Sequence, residues 1–395
     1  MKTRHIILRT TTAATRDPFL GALTAPAVED SLTTGVSVEV DDIDTHTIPT
    51  LSSNTEVLAI APVIPMKLIA PVEDQPAAQP ASDTDTWGVH AVGADTSPFS
   101  GDGIVVAVLD TGIDASHPAF EGVEIVQEDF TGAGNGDQNG HGTHCAGTIF
   151  GRTTNGTRIG VAPGVKKALI GKVLGAEGGS SGQIVRAIQW AVDNGANVIS
   201  MSLGMDFPGF QAELQEAGFP PELATSRALE GYRTNVQLFA RLASLILAQE
   251  PFGQAALTVA AAGNESQRQN DPDFEIAVSP PAVAEGVVSV AALGEGSQGL
   301  TVAPFSNTGA NVSGPGVQIV SAKAGGGLTT KSGTSMATPH VAGVTALWAE
   351  KIKASSSLSV LQLTARLIGS ATTEGLQAGL DPFDIGAGLV HAPQG

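Results

Sequence analysis

Asp110, His141 and Ser335 are the residues of this 395-residue chain whose types, taken together, carry out acyl transfer. A serine hydroxyl is a weak nucleophile by itself. It needs a base to accept its proton and a carboxylate to hold that base in the right tautomer. Each of the three stands at the end of an expected element. Asp110 follows the apolar run Ile104–Leu109, and α/β sheets collect their reactive groups at the carboxyl ends of strands; alone, it reads equally as a turn aspartate. His141 opens the small-residue stretch His141-Gly142-Thr143-His144-Cys145-Ala146-Gly147-Thr148 after a loop rich in Gly and Asn. Ser335 lies at a helix start within Gly333–Gly343, where free N–H groups and the helix dipole favour a developing anion; a plain N-cap is its bland alternative. Asn264, closing Ala260-Ala261-Ala262-Gly263-Asn264, offers a carboxamide donor to an oxyanion, together with the Ser335 N–H.

Stepping outward, these residues need strands and helices to hold them. Ile104–Leu109, Ala168–Leu174, Val198–Leu203, Leu257–Ala262, Val287–Ala292 and Val317–Ser321 read as buried strands. Ile184, Ile188, Ala191 and Val192 recur at helical spacing, closed by Asp193-Asn194-Gly195, and helices are expected over Ser335–Lys351 and Ser357–Ser370. The alternation predicts a doubly wound parallel α/β domain over residues 87–395. Ahead of it, strand-like pieces at His5–Arg9, Val36–Val40, Val57–Ala61 and Met66–Ala70 predict a small α+β N-terminal domain over residues 1–71, joined by a polar, acidic linker over 72–86.

Composition limits the rest. A net charge of −19 and a pI near 4.7 argue against nucleic acid and anionic membrane as partners. One cysteine, Cys145, excludes an intrachain disulfide. No apolar run of signal-peptide length follows Met1, and none is long enough to span a bilayer. A cytoplasmic location is the expectation, with secretion as the alternative.

The stretches Val105–Asp114, His141–Thr148, Ala261–Asn264 and Gly333–Gly343, in that order, resemble the signature segments of the subtilisin-like serine proteases (subtilases). The resemblance implies the subtilisin fold, a serine endopeptidase acting on protein or peptide substrates, Asp110, His141 and Ser335 as its triad and Asn264 as oxyanion donor. It implies that Ser202-Leu203-Gly204 is a sheet edge that pairs with extended substrate, and that Ala261, Ala262 and Gly263 line the opposite side of the pocket. It further implies a self-processing zymogen, in which residues 1–71 chaperone folding and cap the cleft until a cut within 71–86. A permanent accessory domain is the other reading of those residues. No cofactor is needed for the chemistry. Structural calcium is common in the family, but Ala119 follows His117-Pro118 where an Asp ligand is usual, and the loop Arg152–Arg158 has no carboxylate. The usual strong calcium site is therefore not expected, while a weaker one elsewhere stays open.

Cys145 has two readings, a mercury-sensitive thiol beneath His141 and a buried small residue, and packing is the expectation. His144 and His340 are expected to be packed, hydrogen-bonded histidines, and His117 a turn residue. Residues 205–256 form an insertion longer than the family's usual connection; either it borders the cleft and narrows substrate choice, or it is an enlarged surface helix pair. Two other classes of function stand against the protease: an inactive binding scaffold, and a metallohydrolase using Asp110, His141 and His144.

Overall fold

The computed structural model describes residues 2–11, 35–72, 85–253 and 255–395. Most of the expected linker therefore lies outside the described residues. The N-terminal part is a three-stranded antiparallel sheet, β1 (Lys2–Thr11), β2 (Gly35–Asp44) and β3 (Val57–Pro62), in the order β2-β1-β3, with the short helix α1 (Ile48–Ser52). Strand β4 (Pro65–Leu68) follows directly but leaves that sheet.

After the five-residue helix α2 (Trp87–Ala91) comes the main body. Its strands are β5 (Val105–Asp110), β6 (Glu124–Asp129), β7 (Lys167–Lys172), the two-residue β8 (Gly179–Ser180), β9 (Val198–Met201), β10 (Leu203–Met205), β11 (Leu257–Ala261), β12 (Val287–Gly296), β13 (Gly299–Val302), β14 (Val312–Pro315), β15 (Ile319–Ala322) and β16 (Leu328–Lys331). Its helices are α3 (His141–Phe150), α4 (Ser181–Asp193), α5 (Phe207–Glu216), α6 (Pro221–Ala248), α7 (Thr334–Lys353), α8 (Val360–Gly369) and the single turn α9 (Pro382–Ile385). Eight strands form one sheet in the order β13-β12-β11-β9-β5-β7-β6, with β14 also on β12; only β13 is antiparallel to its neighbour.

Alternation along β5 shows how this sheet is covered. Val106 and Val108 pack with α3, α7 and α8, whereas Ala107 and Leu109 pack with α4 and α6 on the other face. Helices on both faces explain why these strands read as continuous apolar runs. The second of the two cores does not stop at the helices. It continues through Ile184, Val185, Leu238 and Phe239 to Ile6, Leu8 and Ile64, so the N-terminal sheet sits on α4 and α6.

Three expectations need correction. Val317–Ser321 was expected in the main sheet; β15 instead forms a separate hairpin with β16, and Val312–Pro315 supplies the sheet's strand. Pro315 and Gly316 interrupt that apolar stretch, which made one strand of two pieces hard to place. Strand β6, at the sheet edge with the mixed sequence Glu124–Asp129, was not expected, because a half-exposed edge needs no apolar run. Val198–Leu203 divides at Ser202, its first half in the main sheet and its second half on β4. No helix among the described residues is long and apolar enough to cross a membrane.

Candidate active site

Asp110 is the last residue of β5, whose neighbours β7 and β9 lie on either side of the point where the chain's winding reverses. His141 is the first residue of α3. The two side chains are 1% and 0% exposed, and His141 Nδ1–H donates to Asp110 Oδ1 over 2.8 Å. The helix approaches this closely because Gly142 has no side chain: a Cβ there would lie 2.1 Å from the Gly112 carbonyl oxygen and 3.2 Å from Asp110 Cβ.

Helix α3 begins after Gly140, which is left-handed (φ 86°) and offers no capping side chain. The first free N–H groups are taken by Asp137 instead. Its Oδ1 accepts from Asn139 N, Gly140 N and the Thr111 hydroxyl, and its Oδ2 from Thr143 N and the Thr143 hydroxyl. Thr111 Oγ1 in turn accepts from Gly142 N. One carboxylate thereby ties the turn after Asp110 to the helix that carries His141. Asp137 and Thr111 were not singled out from the sequence, because an Asp four residues before a helix's first residue lies outside the N-cap position that a capping pattern reads.

Burial works against an imidazolium at His141, but the adjoining Asp110 carboxylate prevails and holds the His141 pKa well above the ordinary 6.5. The bond from Nδ1 fixes the tautomer and leaves Nε2 for proton transfer. That atom is buried with no hydrogen-bond partner among the described residues.

Ser335 is the second residue of α7, fully buried. Pro339 lies inside this helix rather than in its first turn, and its missing N–H would have bonded the carbonyl four residues earlier, that of Ser335. Two donors take that oxygen: Ser202 Oγ at 3.1 Å and Cys145 Sγ at 3.4 Å. Cys145 also lies 3.7 Å from His141 Nδ1, so its thiol spans the space between the base and the serine's helix. Burial pushes the thiol above its ordinary pKa of 9.0, so it is a neutral packing group and weak donor, as expected.

The cap of α7 comes from far away in sequence. Asn264 Oδ1 accepts from Thr334 N and the Thr334 hydroxyl, both at 2.8 Å. This fixes the carboxamide, so its Nδ2 points into the cleft, where it donates to the Ala70 carbonyl at 2.9 Å. Ala261 and Ala262 are buried at the end of β11, and Gly263 N donates to Thr334 Oγ1. Ser335 Oγ donates to the neighbouring carbonyl, that of Ile69, at 2.7 Å. The cleft therefore holds the chain's own residues 63–72. On one side β4 pairs antiparallel with β10, Leu68 opposite Leu203 and Lys67 opposite Gly204, and on the other with β8. Beyond the serine, Val72 N donates to Ser332 O.

The three other histidines singled out from the sequence have structural partners. His144 donates to Ile319 O, and burial first, with the His141 and Lys331 charges, lowers its pKa to about 3. Its ring is thus turned away from Asp110 and His141, which removes the geometric basis for a metallohydrolase built on those three. His340 donates to Met336 O, and burial lowers its pKa to about 4. His117 caps a short turn by accepting from Ala119 N.

The family model for peptidase S8, the subtilase family, matches residues 101–388. The thermostable alkaline protease of Halalkalibacterium halodurans is 34% identical over 79% of this chain and 73% of its own length. Subtilisin DY of Bacillus licheniformis is 32% identical over 78% of this chain and 98% of its own. The M-protease of Shouchella clausii is 33% identical over 88% and 79%. The match to alkaline proteases and subtilisins overturns the expected cytoplasmic location. A short apolar stretch near Met1 and a lone thiol were too little to carry that expectation.

Proposed function

Because the chain belongs to the subtilase family and is a serine endopeptidase acting on protein substrates, we propose that Ser335, His141 and Asp110 are its nucleophile, general base and orienting carboxylate. The single observation that carries this is the 2.8 Å bond from His141 Nδ1 to Asp110 Oδ1 in a buried pair beside the Ser335 helix. Ser335 Oγ attacks the substrate carbonyl carbon as its proton passes to His141 Nε2. The imidazolium, stabilised by Asp110, then protonates the leaving amine, and water releases the acyl group. Asn264 Nδ2 and the Ser335 N–H hold the oxyanion. A fluorophosphonate probe should form one adduct, on Ser335. Labelling elsewhere, or none after residues 1–69 have been removed, would reverse the assignment.

The N-terminal sheet with residues 63–72 acts, in this reading, as an intramolecular inhibitor. What supports it is the strand pairing of β4 with β8 and β10 and the Ser335 bond to Ile69 O. The insertion takes part as the seat of this sheet: Asn235 on α6 donates to Pro62 O, and Gly231 lies against Pro62 and Ile64.

Structural calcium at the family's usual loop is not required in this reading. There, Arg158 donates to the carbonyls of Ala94, Gly160 and Val161, and Arg152 to those of Phe150 and Val165, so the loop is held at both ends by cationic guanidinium groups and supplies no carboxylate. A chelator should leave the melting temperature unchanged; a drop of several degrees would refute this.

A further inference from the structure

We infer that the self-processing bond is Ile69–Ala70, and that the cleft recognises a branched aliphatic residue before the cut and a basic residue two positions earlier. The inference rests on the protease reading above and names the substrate it selects.

Three observations converge on this bond. The first is the nucleophile's position, 2.7 Å from the Ile69 carbonyl oxygen. The second is register. Continuing the β4–β10 pairing by one step sets Ile69 opposite Ser202, so residues 66–68 run along the enzyme's edge and Ile69 is the last before the serine. The third is burial. Ile69 is 2% exposed, and its branched side chain lies against Gly204, where a Cβ would be in ordinary contact with Ile69 Cγ1 at 3.4 Å. The adjacent Ala70–Pro71 bond is a poorer candidate. Its nitrogen belongs to proline, and the serine is not on its carbonyl, although Asn264 is.

Recognition extends upstream. Met66 is buried at 1% between β8 and β10. The Lys67 ammonium lies 3.3 Å from Asp206, at the start of the insertion, and 3.7 Å from Glu265, the residue after Asn264. Two carboxylates from separate segments thus converge on one cation at the cleft's rim.

The cut needs no outside reagent but water. The Ser335 Oγ–Ile69 carbon bond forms, the bond to Ala70 nitrogen breaks with the proton delivered by His141, and water converts the ester to an Ile69 carboxylate. Asn264 must first move from the Ala70 carbonyl to that of Ile69. This diversion makes the uncut state slow to react.

The full-length chain and its Ser335→Ala variant should be followed over time by intact-mass and N-terminal analysis. The expected result is a new N-terminus at Ala70 in the first and none in the second. Ile69→Asp should slow this cut by at least about a hundredfold by placing a charge in the apolar pocket, whereas Ile69→Val should be cut at the same bond at near the parent rate. Lys67→Gln should slow it about threefold at low salt and not at 1 M salt. A Ser335-dependent N-terminus at Pro71 or anywhere in 72–87 would overturn the bond assignment while the protease reading stood. A chain that stays whole yet takes a fluorophosphonate on Ser335 would overturn it equally. No cut, together with no label even after residues 1–69 have been removed, would instead sink the protease reading itself.

Discussion

The two halves of the site stand in different states. Asp110 and His141 are already joined and buried, tied together by Asp137 and Thr111 through bonds internal to residues 110–143. Ser335 and Asn264 are turned outward, each holding a carbonyl of the segment lying in the cleft. The base is set by its own neighbourhood, and the nucleophile's partner depends on what occupies the cleft. In the proposed reading, the enzyme is fully folded while its serine is engaged by its own chain.

That contrast can be broken at several points. The largest effect is expected from Ser335→Ala, which should lower kcat by about 10⁶-fold, the size found in a subtilisin, a relative of this chain. The melting temperature should change little, since the Asp110–His141 half does not lean on the hydroxyl; peptide hydrolysis and thermal unfolding check both. Asn264→Ala should cost about 10²–10³ in kcat, again the scale known from a subtilisin. It should also cost stability, because the same carboxamide caps α7. A fall in kcat with no loss of stability would show that Thr334 finds another acceptor.

Removing the tether of the base half should act more gently. Asp137→Ala leaves the N–H groups of Gly140 and Thr143 without their acceptor, so stability should fall by about 1–3 kcal/mol in a urea titration. The rate should drop about tenfold in kcat, with KM nearly unchanged, because a loosened α3 misplaces His141 without touching the cleft walls. Equal losses in kcat and KM would instead place Asp137 in substrate binding. Last, pH sharpens the comparison. His141 must be neutral to accept a proton, and Asp110 raises its pKa above 6.5 in the covered state. Self-cleavage of the intact chain should rise about tenfold per pH unit up to that raised value and then level off. A rate that is flat between pH 6 and 9 would mean that the diverted Asn264, rather than the base, limits the cut.

Much of this site was legible from residues near one another in sequence. The run before Asp110, the small residues after His141 and the glycine-bounded serine helix all record local requirements: strands covered on both faces, and helices pressed close to a sheet. Gly142 illustrates this, since its absent side chain is what lets α3 meet Asp110. The partners of Ser202 and Cys145 were not legible in this way, because the carbonyl they satisfy was freed by a proline more than 130 residues beyond Ser202 and further still from Cys145.

By itself, then, the sequence determined most of the strands and helices that carry the site, the chemical types gathered at their ends and the family to which they belong. Periodicity and small-residue patterns are local properties, written wherever a face must be buried. The tertiary structure decided which edge the strand Pro65–Leu68 would join, that Asn264 would cap a helix 70 residues away while aiming its amide into the cleft, and that Lys67 would meet Asp206 and Glu265. An open strand edge accepts any extended segment through its backbone, so the choice among candidates falls to the packing of Ile6, Leu8 and Ile64 on α4 and α6, which delivers one segment to the serine and no other.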